Sequence, residues 1–157
     1  MAVTTAAAIR NTAISVVKAL TPRTMGKNTF LPHRNEGEGD FVTWCLHNPQ
    51  AAFRRFQVRT LGTDQPVEVS NTDIECHYLD LEISVAYPQN TRIGSSALDR
   101  DDAIDQDRHQ IEHAVGLAGG GNFPDATWRA SAVSRTIDQG VDFLVIRQTM
   151  MYYRSMP

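Results

Sequence analysis

Cysteine is scarce in this chain. Cys45 and Cys76 stand far apart with no C-x-x-C spacing, so a disulfide framework is not indicated. No run of about 18 apolar residues occurs, which leaves no candidate membrane-spanning helix. Basic excess is also missing. Fifteen Lys and Arg against 18 Asp and Glu give a formal charge of −3, with no global attraction to nucleic acid or anionic lipid. The opening MAVTTAAAIRNTAISVVKAL is broken by Arg10, Asn11 and Lys18 where an export signal needs a continuous apolar stretch. Export is therefore not expected, and the chain is expected in the cytoplasm where it is made. Internal repeats and low-complexity tracts are lacking too. What is present is ordinary for a globular chain: 157 residues, 41% hydrophobic and 21% charged. That fits a single domain over 1–157, burying roughly two thirds of the surface its unfolded form exposes.

Periodicity then divides the chain. Ile9, Ala13, Val16, Val17 and Leu20 share one face of a helix that ends near Pro22. Residues 21–52 are rich in Gly, Pro, Asn and charge, and read as a long loop or arm. Phe41, Val42, Trp44 and Leu46 give that arm a short apolar anchor. Trp44 is a loop anchor or an interface residue, with the anchor favoured. FRRFQVRTL (53–61) alternates as a strand. In the next strand, Leu79, Leu81, Ile83, Val85 and Tyr87 lie on one face, with Asp80, Glu82 and Ser84 on the other. Ile74, Cys76 and Tyr78 sit in the opposite phase. A bulge near Tyr78 would reconcile the two halves and give a strand of about 15 residues. Such a strand is long enough to project past a small domain.

Ser96 with Asp99 forms an S-x-x-D helix start, followed by acidic first turns. Leu98, Ile104, Ile111, Ala114 and Val115 make the buried stripe, and GLAGGGNFP stops the helix. WRASAVSRTI (128–137) and VDFLVIRQTMMYYRSM (141–156) are strands joined by a tight turn at Asp138-Gln139-Gly140. The fold class is therefore α+β: helix, two strands, helix, two strands, with a mainly antiparallel sheet packed on helices and long protruding strands.

One motif asks for chemistry. HQIEH (109–113) matches the H-x-x-E-H pattern of a class of zinc peptidases, placing His109 and His113 one turn apart beside Glu112. Two checks go against a small metal-dependent hydrolase. No glutamate follows Glu112 to serve as third ligand; only Asp125, Asp138 and Asp142 remain, in expected turns. Both histidines also lie two residues from Ile111, about 200° around the helix from the buried stripe. They face away from the core. DRDDAIDQD lacks the central glycine and closing glutamate of a calcium loop. AGGGNFPD lacks G-K-[ST], and no G-x-S-x-G occurs. Arg54, Arg55 and Arg59 with Phe53 and Phe56 imitate a nucleic-acid-binding strand without a wider basic patch. No catalytic, cofactor-binding or metal-ligating residue is assigned, and no cofactor is expected.

A family resemblance adds to this reading. LDLEISVAYP, the acidic helix LDRDDAIDQDRHQIEHAV, the Trp-led WRASAVSRTI and the final VDFLVIRQTMMYYRS together resemble the tail terminator proteins of tailed bacteriophages. The likeness covers about residues 53–156, and segment 21–52 departs from the compact versions. It implies an α+β protomer that closes into a ring, typically a hexamer, in the neck of the virion. Such a ring would cap the tail tube protein and meet head-completion proteins. DNA would pass through its channel without specific binding, and no membrane would be involved. An intracellular adaptor domain with the same element order is the other non-enzymatic reading.

Overall fold

The computed structural model describes residues 3–23, 29–69, 74–89, 97–116, 122–124 and 126–155. Helix α1 (Ala6–Lys18) begins where the Thr5 side chain accepts the Ala8 amide at 3.1 Å, and it buries Ile9, Ala13 and Val17. Strands β2 (Arg55–Val69) and β3 (Ile74–Pro88) follow, then helix α4 (Ala97–Val115) and strands β4 (Ala126–Asp138) and β5 (Val141–Ser155). With the two-residue β1 (Leu31–Pro32), they form one sheet ordered β1-β2-β3-β5-β4. Every pairing is antiparallel except β1 with β2. This is an α+β fold with a mainly antiparallel sheet packed on helices.

Alternation along the strands decides which face is which. Phe56, Val58, Leu81, Ile83, Val85, Leu144 and Ile146 point to one face and meet Ile9, Ala13 and Val17 of α1 and Ile104, Ile111 and Val115 of α4. That main core takes in β3 from Leu79 to Tyr87. The central strand is buried from Cys76 to Pro88, with Tyr78, Asp80 and Ser84 as the breaks. The bulge expected near Tyr78 is absent from β3, which pairs with β5 in unbroken register from Ile74 to Pro88. The irregularities lie in β2 instead, between Leu61 and Gln65 and between Pro66 and Glu68. The apparent phase change has a simpler cause: Cys76 and Ala86, on the second face, are also buried.

The long loop expected over 21–52 needs correction. Residues 35–51 hold two short helices, α2 (Asn35–Glu38) and α3 (Phe41–His47), and a 3₁₀ turn at Pro49–Ala51. Asp40 caps α3, accepting the Thr43 amide at 3.1 Å and the Thr43 hydroxyl at 3.0 Å. Gly37 and Gly39, at φ of 100° and 80°, make the turns before it. Phe41 and Cys45, one helical turn apart, then enter a second core with Ala52, Ala86, Val141 and Phe143. The Phe41 ring meets Phe143 edge-on at 5.9 Å. A helix of seven residues is too short to declare a period, which is why the segment reads as loop. Trp44 packs against this second core beneath the Arg55 guanidinium, 3.9 Å from its ring centroid. It is an anchor. The Ser96 cap and residues 117–121 of the glycine-rich stop lie outside the described residues.

The hairpin turn is as the sequence predicts. Gln139 and Gly140 take φ of 46° and 81°, the doubly left-handed geometry whose twist suits a two-residue link between antiparallel strands. Asp138 pairs with Val141 across it.

Candidate functional site

Helix α4 carries the HQIEH motif on its outer side. The side chains of His109 and Asp105 are 64% and 59% exposed and 3.5 Å apart, and Ile111 is fully buried behind them. Glu112 does not join the histidines as a free base; it accepts a 2.9 Å bond from Arg108 one turn back. His109, Glu112 and His113 line an open groove of about 620 Å³ with Leu20, Arg23, Gln110 and Ala114. Among the described residues, no three His, Cys, Asp or Glu side chains converge in a way that could hold a metal ion.

The inner side of the same helix holds the strongest charge constellation. Asp107 is fully buried and accepts bonds from Arg54 Nε at 2.7 Å and Nη2 at 3.1 Å, and from the Tyr87 hydroxyl at 2.7 Å. Arg54 is fully buried as well, its guanidinium lying over Phe53 and Phe30 at 5.3 and 5.9 Å. Burial raises the Asp107 carboxyl above its ordinary value, and the two Arg54 bonds pull it back toward the ionised form. Burial, with Asp107 beside it, pushes Tyr87 well above 10.0, so its hydroxyl stays a donor. Arg54 adopts φ of 62°, a left-handed backbone that costs a non-glycine residue roughly 1–2 kcal/mol. The bend lets the chain leave the 3₁₀ turn while its N–H donates to the Ala86 carbonyl at 2.9 Å and its carbonyl accepts from Leu31 at 3.1 Å. The cluster ties the start of β2 to β3 and α4.

A second charged knot lies where α4 meets the β4–β5 hairpin. Asp142, buried at the start of β5 rather than in a turn, accepts from Arg100 at 3.0 Å and Arg135 at 2.9 Å. Arg135 also donates to Asp101 at 2.6 Å. On the opposite sheet face, Glu82 is only 5% exposed between Arg59 at 2.7 Å and Arg147 at 3.3 Å. The arginines of the basic strand 53–59 are thus each taken up within the chain: Arg54 by Asp107, Arg55 by Glu38 and Trp44, Arg59 by Glu82.

The remaining distinctive feature is an edge. β4 has β5 on one side and, among the described residues, no strand on the other. From Ser131 to Asp138 its side chains are exposed apart from half-buried Val133, and Ile137 is 65% exposed. Its pairing with β5 is regular from Ala130 to Asp138, with a register shift only between Trp128 and Ala130. No protein-family profile matches the chain, and no curated protein matches it.

Sequence reasoning singled out HQIEH and passed over Asp107. A signal was available: Asp107 falls between Ile104 and Ile111 on the buried stripe, and a carboxylate in that position requires a cationic partner. Glu82 gave no such sign, because it alternates correctly onto the polar face.

Proposed function

We propose that this chain is a structural protomer of a tailed-phage virion, a tail terminator that closes into a ring, caps the tail tube and meets the neck. Two things support the reading: the resemblance of residues 53–156 to that family, and the uncovered β4 edge, which carries it. Long strand edges without proline, bulge or dense charge invite pairing with another chain, and natural monomers normally blunt them. Between Ala130 and Ile137 this edge carries one charged residue, Arg135, and that one is held by Asp101 and Asp142. A ring is built from such a surface when it meets a different patch on the next copy and the rotation closes. The deep ion pairs fit the same role, since they fix the protomer body that must repeat identically around the ring. The chain's net charge of −3 would let DNA slide through a channel with little adhesion.

Native mass spectrometry and electron microscopy of the purified protein test this. A closed ring, typically a hexamer, is the expected species, and added ring should halt growth of tail tube protein. Ile137→Asp should leave the monomer folded and abolish ring closure. A protein that stays monomeric at every concentration, and is absent from purified particles, would sink the reading.

A further inference from the structure

The sheet has a second open edge, with a different character. β1 covers β2 for two residues only, Leu31 opposite Arg55 and Pro32 opposite Phe56. The chain then turns away after His33, whose amide donates to the Phe56 carbonyl at 2.8 Å. Backbone direction alternates along a strand, so Val58 and Thr60 turn their N–H and C=O groups to the same side as Phe56, past the end of β1. Among the described residues nothing takes those groups up.

A groove of about 540 Å³ runs along this stretch. All five residues from Phe56 to Thr60 line it, so it follows the strand edge itself rather than one face. Arg10, Asn11 and Ile14 of α1 and Pro32 to Arg34 complete its lining. Among the described residues, no Asp or Glu lines it. Arg59 is already paired with Glu82, and nearby Glu38 is taken up by Arg55. Arg10 and Arg34 have no ion-pair partner among the described residues. Among the described residues, two guanidiniums without a counter-ion therefore flank the outward backbone groups of Val58 and Thr60.

We propose that this groove binds an extended acidic peptide segment of a partner protein, which adds to β2 as a short strand beyond β1. The backbone ladder would supply affinity, and Arg10 and Arg34 would select carboxylates at alternate positions. Register shifts begin after Leu61, so the added strand is short. The β4 edge of a second copy is a poor occupant, because from Ser131 to Ile137 it offers no carboxylate to Arg10 and Arg34. The inference does not depend on ring formation.

The test uses the full chain and a fluorescent peptide of about seven residues, a usual strand length, that alternates glutamate with valine. Fluorescence anisotropy should show saturable binding that glutamine-for-glutamate peptides lack. Arg10→Glu with Arg34→Glu should weaken it about tenfold or more, as reversing charges at a binding surface does. Thr60→Pro removes an edge N–H that β3 does not use, so it should cost a similar factor while leaving the circular dichroism spectrum unchanged. N-methylating alternate amides of the peptide should abolish binding. Three results would each overturn the proposal: no binding of the acidic peptide; equal binding of the neutral peptide; or a single-stranded oligonucleotide that binds more tightly than the peptide and ignores Thr60→Pro.

Discussion

The two sides of helix α4 make an instructive pair. Outward lie His109, Glu112 and His113, a spacing associated with metal chemistry; inward lies Asp107, an unremarked carboxylate in an acidic run. In the structure the outward group is solvated, with Glu112 on Arg108 and His109 near Asp105. The inward carboxylate is sealed between Arg54 and Tyr87 at zero exposure. Identical chemistry is worth little in water and a great deal away from it, because charges that lose hydration must be compensated by neighbours. Depth, rather than motif, decides which charges matter here.

Removing the inward carboxylate should sharpen that contrast most. Asp107→Ala leaves Arg54 buried without its counter-ion and should cost about 3–5 kcal/mol in urea unfolding. The double change Arg54→Met with Asp107→Leu should recover part of that loss, which a simple sum of two damaged sites would not. Next comes the second core, which holds α3 without any buried charge. Phe41→Ala should cost about 3 kcal/mol by opening a cavity against Phe143 and Cys45. A loss near zero would show that the 35–51 segment is an independent arm after all.

A smaller effect belongs to the α3 cap. Asp40→Ala should cost about 1 kcal/mol, the usual worth of an N-cap. The Thr43 amide and hydroxyl hold the Asp40 carboxyl below its ordinary 3.8. A carboxyl depressed in the folded state stabilises the fold above that ordinary value, and the contribution fades as pH falls below 3.8 through the folded one. The wild type should therefore lose its advantage over Asp40→Ala in acid, as paired unfolding curves would reveal. Least of all, His109→Ala with His113→Ala should change stability by within about 0.5 kcal/mol. Zinc titrated into the wild type should bind no better than to any exposed histidine pair at i and i+4. Stoichiometric zinc retained through dialysis and lost in the double variant would reverse the ranking of the two helix faces.

Much of the framework was legible because it depends on period alone. The odd-numbered face of β3, the α1 stripe, Ile104 and Ile111 of α4 and the Gln139–Gly140 turn all follow from spacing. The α3 segment did not, since seven residues give at most two turns and its stability comes from Ala86, Val141 and Phe143, distant in sequence. The bulges in β2 were hidden by a stretch, LGTDQPVEV, that has no clean alternation to interrupt. The Arg54–Asp107 pair joins residues 53 apart, so the stripe position of Asp107 calls for a cation but no local pattern names Arg54 as that cation. For the same reason the groove beside β2 was invisible: it exists because β1 stops after two residues.

The sheet order also bears on how quickly the chain can find its fold. β2 with β3, and β4 with β5, are sequence neighbours and can zip early. The middle of the sheet is different: β3 meets β5 along its entire length, from Ile74 opposite Ser155 to Pro88 opposite Val141, with all of α4 in between. Joining the two hairpins requires closing that long segment before the main core can reward it, so this central ladder is the natural bottleneck. Until it forms, each hairpin shows its inner edge as well as its outer one. Open strand edges are thus most exposed to pairing with the wrong molecules while the fold is still being assembled.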